Sequence, residues 1–295
     1  MSGDAETPRR CGMVAIVGRP NVGKSTLMNH LVGQKISITR HRIHGILSRD
    51  NHQIIFADTP GIHAGQDKAI NRYMNQAAGS ALSGVDVVCF MVDALKWTEA
   101  DEHVLSRLPT DGTPVLLLIN KVDSVADRDA LLPHIDALAA RFDFAEVIPV
   151  SALREQNLDV LEKALVARLP ESDFWYDEDQ LTDRSLRFMV AEIIREKVVR
   201  QLGQEVPHQV AVEIELWKDR GDIVDIAAKI LVERDGQKRI LIGKGGDRIK
   251  KIGTAARHDI EELVGSRVML ELWVKVKSGW SDDDRALRSL GYGDV

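Results

Sequence analysis

Gly18, Gly23, Lys24 and Ser25 stand at the spacing G-x-x-x-x-G-K-[ST] within the stretch VAIVGRPNVGKST, Val14 to Thr26. The two glycines allow consecutive backbone N–H groups to turn inward around a phosphate, and a helix starting near Lys24 adds its positive end. Lys24 would reach the β- and γ-phosphates, and the Ser25 hydroxyl stands where a Mg²⁺ ligand belongs. Arg19, Pro20, Asn21, Val22 and Thr26 complete the lining of the loop. The bland alternative is a glycine-rich turn between a strand and a helix. The order of signals, an apolar β-branched run, then the loop, then a helix, favours phosphate.

Four further stretches carry chemistry. Asp58-Thr59-Pro60-Gly61 follows a strand-like run: an acid there can hold Mg²⁺ through a water, and the Gly61 N–H can sense a γ-phosphate. Asn120-Lys121-Val122-Asp123 follows an apolar run. A carboxylate at Asp123 accepts from the two donors of guanine, the ring N1–H and the exocyclic amine, whereas adenine offers an unprotonated ring nitrogen there. Lys121 would lie along the base, Asn120 would tie neighbouring loops together, and Ser151-Ala152-Leu153 would present a backbone N–H to guanine O6. Each motif alone has a polar-loop alternative, but their order and spacing after a phosphate loop support one GTP site. The last stretch is Gly243-Lys244-Gly245-Gly246, where backbone free of side chains lets a nucleic-acid backbone come close. It lies between Arg234 and Arg257, where Arg234, Lys238, Arg239, Lys244, Arg248, Lys250, Lys251 and Arg257 face only Asp235 and Asp247, a local excess of six. The net charge of −6 hides this stripe.

The elements that must position these residues follow from periodicity. A helix covers Ser25 to Leu31 and is ended by Gly33. Arg42 to Ser48 and Gln53 to Ala57 suit a hairpin with a polar turn at Arg49 to His52. Val85 to Val92, Pro114 to Ile119 and Val147 to Val150 are apolar enough to be buried parallel strands. Helical patterns run over Lys68 to Leu82, Glu99 to Leu108, Arg128 to Phe142 and Leu158 to Leu169. This alternation describes a doubly wound α/β domain with its sites beyond the strand carboxyl ends. Pro170 to Leu181 is an acidic, aromatic linker, and Thr182 is placed to cap a helix over Asp183 to Leu202. Gln209 to Trp217 and Ile223 to Glu233 alternate as antiparallel strands, a helix spans Asp247 to Val264, and a strand spans Arg267 to Val276. Periodicity alone makes Arg239 to Ile242 another strand.

At 295 residues the chain suits two domains. Cys11 and Cys89, the only cysteines, lie in unrelated contexts, so the expectation is free thiols in a reducing cytoplasm. No apolar run approaches the ~20 residues of a membrane span, although contact with a membrane surface stays open. His41, His44, His52 and His63 crowd together in sequence, but His41 and His44 would point to opposite faces of a strand, which argues against a transition-metal site. Trp217, Trp273 and Trp280 are either core or base-stacking residues, with core favoured. Asp282-Asp283-Asp284 reads as a solvated helix start before Arg285 to Leu290.

GRPNVGKS, DTPG, NKVD and SAL in this order resemble a translation-factor-related GTPase, and INRYMNQAA, LTDRS and VKVKSGWSDDDRALRSLGY resemble the Era family of bacterial GTPases over nearly the whole chain. The resemblance implies a Ras-like P-loop GTPase domain over 1–170, a linker over 171–182, an α+β type II KH domain over 183–278 and a tail over 279–295 that helps contact RNA. It implies GTP binding and hydrolysis, with Mg²⁺, and action in assembly of the small ribosomal subunit through the 3′ end of its ribosomal RNA. It makes GKGG the G-x-x-G loop between two KH helices, with Gly243, Lys244, Gly245, Gly246, Arg248, Lys250 and Lys251 toward RNA. It also makes Lys24, Asp58 and Gly61 the catalytic set and Thr39 a candidate magnesium ligand. Two departures stand out. Thr39 is followed directly by Arg40-His41-Arg42-Ile43, so the first switch is short, either truly or because a loop is missing from the sequence, the latter favoured. Ile62 stands where Ras-type enzymes carry a water-orienting Gln, which implies slow intrinsic turnover. Asn21 is similar to an Asn that binds K⁺ in related GTPases; the alternative is that it only shapes the loop. The competing functions are an RNA-binding adaptor that passively senses GTP, and a regulatory GTPase at the cytoplasmic face of the inner membrane. A monomer is expected.

Overall fold

The computed structural model describes residues 8–33, 43–58, 82, 84–94, 96–125, 131–202 and 210–280. They form two compact units divided between Asp183 and Arg184.

The first unit is built on a six-stranded sheet of order β2-β3-β1-β4-β5-β6. The strands are β1 (Arg10–Val17), β2 (Ile43–Arg49), β3 (His52–Asp58), β4 (Val87–Asp93), β5 (Val115–Asn120) and β6 (Glu146–Val150). All neighbours are parallel except β2 and β3, the expected hairpin. Every residue of β4 and β5 is buried, which is why these strands read as unbroken apolar runs rather than alternating ones. The helices are α1 (Lys24–Val32), α2 (Glu99–Leu105), α3 (Leu131–Ala139) and α4 (Leu158–Val166). Register does the positioning: Ile16 pairs with Asp58, Asp93 with Asn120 and Asn120 with Val150. The carboxyl ends of β3, β4, β5 and β6 therefore lie on one edge beside the loop after β1, the usual ligand edge of an open α/β sheet.

The segment read as a linker is fastened along this unit. Cys11 N–H donates to Pro170 O at 3.2 Å, Ser172 N–H to Arg9 O at 3.1 Å, and Ile46 N–H to Leu181 O at 2.9 Å. Gln53, fully buried, is the hub: its Oε1 accepts from Trp175 N at 2.9 Å and Tyr176 N at 3.0 Å, and its Nε2 donates to Tyr176 O at 2.9 Å. Gln53→Leu would leave these groups unpaired at roughly 1–3 kcal/mol each. Deuterium exchange at the Trp175 and Tyr176 amides is expected to speed up about tenfold or more while the β4 and β5 amides keep their protection. Unchanged exchange at the two amides would show that the strap does not depend on Gln53. Both cysteines are buried and free; burial pushes the Cys89 thiol up to about 12.

Thr182 does not cap a helix. It bridges to Gly45 at the sheet edge, and the next helix, α5 (Leu186–Leu202), starts four residues later, with Ser185 Oγ accepting from Phe188 N. The sequence offers several polar residues there, and the extended pairing with β2 occupies Thr182.

The second unit follows as α5, β7 (Val210–Asp219), β8 (Ile223–Val232), α6 (Asp235–Ile242), α7 (Asp247–Val264) and β9 (Arg267–Val276). Its sheet order is β7-β8-β9, with β7 antiparallel and β9 parallel to β8. The core joins Val190, Ile194 and Val198 of α5 to Ile226, Ala228 and Ile230 of β8 and to Ile252, Ala256 and Ile260 of α7. Trp217 packs against this core and Trp280 is fully buried. Arg239 to Ile242 is helical, against its periodicity. Gln237 Oε1 accepts from Glu233 N and Arg234 N and so starts a helix whose last turn contains the apolar run. The Lys68 to Leu82 helix and the Asp282 to Leu290 stretch fall almost wholly outside the described residues.

Candidate functional site

The loop from Gly18 to Gly23 joins β1 to α1, and two close approaches explain its glycines. A Cβ on Gly18 would lie 2.4 Å from the Met91 carbonyl oxygen, and one on Gly23 would lie 2.2 Å from Asn120 Nδ2. Gly23 also has φ 112°, a conformation that side chains disfavour. Asn21 has φ 62°. Lys24 is buried, and its Nζ donates to Gly18 O at 2.8 Å and Arg19 O at 3.0 Å, so its ammonium is folded back over the loop it would serve. Ser25 follows it in the first helical turn.

Asn120 is the keystone of the pocket. At 3 % exposure, it donates from Nδ2 to Val22 O at 2.8 Å and accepts at Oδ1 from Ala152 N at 2.9 Å, binding the phosphate loop to the Ser151–Leu153 turn. Beyond it Lys121 takes a left-handed φ of 69°, and Val122–Ser124 form one 3₁₀ turn carrying Asp123. Ser151 Oγ, fully buried, donates to Asp123 Oδ1 at 2.5 Å and accepts from Arg154 N at 3.1 Å. Ser151 thus aims the carboxylate. The Ala152 N–H is already engaged by Asn120, so a guanine O6 either shares that donor or takes the next amide, Leu153.

Two acids that the sequence reading passed over join this machinery. Lys121 Nζ lies 2.7 Å from Asp93 Oδ2, and Arg19 reaches the same oxygen at 3.5 Å. Arg19 Nε also donates to Asp101 Oδ2 at 3.1 Å. The side chain of Arg19 therefore points to these acids, and only its backbone lines the phosphate loop. Asp101 was findable: Thr98 and Asp101 stand at capping-box spacing at the start of α2, and Asp101 Oδ2 accepts from Thr98 N at 2.9 Å. Asp93 gave no signal beyond ending a buried strand.

Asp58 closes β3 at the sheet edge. Thr39, Thr59, Pro60, Gly61 and Ile62 lie outside the described residues. For Mg²⁺, the Ser25 hydroxyl in the first turn of α1 is a hard oxygen donor, the chemistry that ion prefers. The histidines are otherwise engaged: His52 contacts Asn51 Oδ1 at 2.9 Å and Glu162 Oε1 at 3.0 Å, and His44 meets Asp183. His41 and His63 lie outside the described residues.

In the second unit, Gly243 closes α6, Lys244–Gly246 make a 3₁₀ turn, and Gly246 precedes α7 with φ 83°. The N–H of Asp247, the first residue of α7, donates to Lys244 O and ties the turn to the helix start. Arg248 donates to Ile240 O at 2.9 Å and braces the turn, while Lys251 pairs with Asp247 at 3.1 Å. Lys244 and Lys250 carry no ion-pair partner among the described residues.

Comparison with known proteins gives these two sites a context. A 50S ribosome-binding GTPase family model matches residues 13–121, and a KH domain model matches residues 205–281. GTPase Era of Ectopseudomonas mendocina is 57% identical over 97% of this chain and 98% of its own length. GTPase Era of Pseudomonas aeruginosa is 55% identical over 100% of this chain and 99% of its own. Among solved structures, an Aquifex aeolicus Era variant bound to GDP and aluminium fluoride superimposes with TM-score 0.91 at 39% identity, over 96% of this chain and 99% of that one. An Era complex with MgGDPNP and nucleotides 1506–1542 of 16S ribosomal RNA gives TM-score 0.92 at 39% identity, with the same coverage. The fold is accordingly a Ras-like P-loop GTPase domain followed by a type II KH domain, and the chain belongs to the Era family of GTPases.

Proposed function

We propose that this chain binds GTP, hydrolyses it to GDP and phosphate, and binds the 3′ end region of small-subunit ribosomal RNA during assembly of the small ribosomal subunit. The observation that carries the nucleotide half is the double hydrogen bond of Asn120, which holds the phosphate loop and the base-side turn in one frame. Gly18 to Thr26 would cradle the phosphates, Asp58 to Ile62 would sense the γ-phosphate, and Asn120 to Asp123 with Ser151 to Leu153 would hold the base. Ser25, and Asp58 through a water, would hold Mg²⁺, with Thr39 as a further candidate ligand; when bound, the ion neutralises charge on the β- and γ-phosphates. The RNA half rests on Gly243 to Gly246 with Lys244, Arg248, Lys250 and Lys251, and an Era relative has been solved with that end of 16S RNA.

In hydrolysis a water oxygen bonds to the γ-phosphorus as the bond to the β–γ bridging oxygen breaks. Lys24 would stabilise charge on the departing side, and the resemblance to the Era family gives the Gly61 N–H the role of sensing the transferring group. Ile62 can donate no hydrogen bond to that water, so intrinsic turnover is slow. Asn21, with its left-handed backbone, would hold a K⁺ ion beside the phosphates. Phosphate release by the purified chain with Mg²⁺ is expected to rise about tenfold or more from sodium to potassium buffer and with the 3′-terminal RNA fragment present. Equal rates in the two salts would remove the K⁺ role, and no release under any condition would leave the adaptor reading in its place.

The domain limits proposed are 1–170, 171–182, 183–278 and 279–295. The protein acts as a cytoplasmic monomer, in which peripheral contact with the inner membrane remains a separate proposal. Among the described residues no helix is long and apolar enough to cross a membrane.

A further inference from the structure

Arg19 sits in the loop that would hold the phosphates, and Lys121 sits in the loop that would hold the base. Both reach one carboxylate oxygen, Asp93 Oδ2, at 3.5 Å and 2.7 Å. The Asp93 side chain is 11% exposed and that of Arg19 16%, so the pair is shielded from solvent far better than an ordinary surface bridge. Arg19 is fixed from its other side by Asp101, whose side chain is fully buried and is itself locked by Thr98 at the start of α2. The backbone repeats the link: Ala94 N–H donates to Asn120 O at 2.8 Å, so the end of β4 is tied to the residue preceding Lys121.

We propose that Asp93 is a positioning residue which couples the two ends of the nucleotide site, with Asp101 as its anchor. It touches neither phosphate nor base. It sets Arg19, and through Arg19 the backbone that turns toward the phosphates, while holding the Lys121 stem at the angle required beside a base. Loss of either partner breaks the link between the two loops. The two loops consequently do not contribute independently to affinity, and strengthening one grip stiffens the other.

This inference rests on the reading of the chain as a GTP-binding protein, and a double-mutant cycle on the full chain separates the two. Equilibrium titration with GDP is the measurement, and Arg19→Gln and Lys121→Met are each expected to weaken binding about fivefold. The double variant is expected to be weakened only about fivefold to tenfold, because both changes act through one carboxylate. A penalty near the product, about 25-fold, would overturn the coupling. Asp93→Asn is expected to weaken GDP about tenfold and to make a further Lys121→Met nearly silent, below about twofold. A purely structural role for Asp93 would instead lower the melting temperature and leave the Lys121→Met penalty at its original size, which also overturns the proposal. If Asp93→Asn does not fold, the cycle between Arg19 and Lys121 decides alone. Wild-type protein that fails to bind GDP would defeat the GTP reading and this inference together, whereas binding with multiplicative penalties defeats this inference only.

Discussion

Asp123→Asn is expected to move nucleotide preference from guanine to xanthine, weakening GTP by about 10³-fold or more while XTP gains. The wild-type carboxylate would accept from guanine N1–H and the exocyclic amine. An amide in its place turns one acceptor into a donor, which repels the guanine amine and suits the 2-oxo group of xanthine. Ser151 matters to the size of the effect: its hydroxyl donates to Asp123 Oδ1 at 2.5 Å, and Asn offers an oxygen in that place, so the side chain keeps its aim and only its chemistry toward the base changes. Competition of GTP and XTP for the purified variant measures it. A variant that still prefers GTP would remove Asp123 from base recognition; one that binds neither but melts like wild type would mean that the Asn120–Asp123 turn has lost its shape.

Gly246→Asp is expected to weaken binding to the 3′-terminal ribosomal RNA fragment about a hundredfold at ~0.1 M salt and to leave GDP affinity unchanged. Among the described residues a Cβ on Gly246 meets nothing within 4 Å, so a side chain fits there without displacing the turn. The left-handed φ of 83° costs Asp roughly 1–2 kcal/mol, less than for most residues, and the charge falls beside the start of α7 where phosphate would lie. Gly243 would be a poor choice for this test, since its Cβ would come within 2.8 Å of Arg248 Cβ and disturb the turn itself. Undiminished RNA affinity in filter binding or fluorescence anisotropy would remove the loop from the RNA surface.

Much of the architecture was legible because local chemistry and global fold agree. The phosphate loop, the hairpin of β2 and β3, and the buried strands β4 and β5 announce themselves through spacing, β-branched content and unbroken apolar runs. Arg239 to Ile242 look like strand until Gln237, three and four residues from the amides it accepts from, is seen holding the start of a helix. Elsewhere local reading failed because a residue's partner lies far away in sequence. Thr182 looks like a cap until its backbone is seen pairing with Gly45. Gln53 looks like a polar residue in a strand, and 122 residues separate it from the Trp175 amide it holds.

The sequence by itself determined which ligand chemistry to expect: two glycines, a lysine and a serine suited to phosphate, an acid suited to guanine, and a glycine turn among cations suited to RNA. Residue type and spacing suffice for this because each motif is contiguous and its chemistry is a property of its own backbone and side chains. Tertiary structure decided how the motifs become one site. The parallel register that lays Asp93 beside Asn120, and Asn120 beside Val150, brings together residues separated by 27 and 30 positions, and only that register lets Asn120 clasp Val22 and Ala152. It also decided where Arg19 points. A guanidinium in a phosphate loop suggests a phosphate ligand, but two acids on β4 and α2 hold it more closely, and no local pattern shows a charge which partner the fold will place within reach.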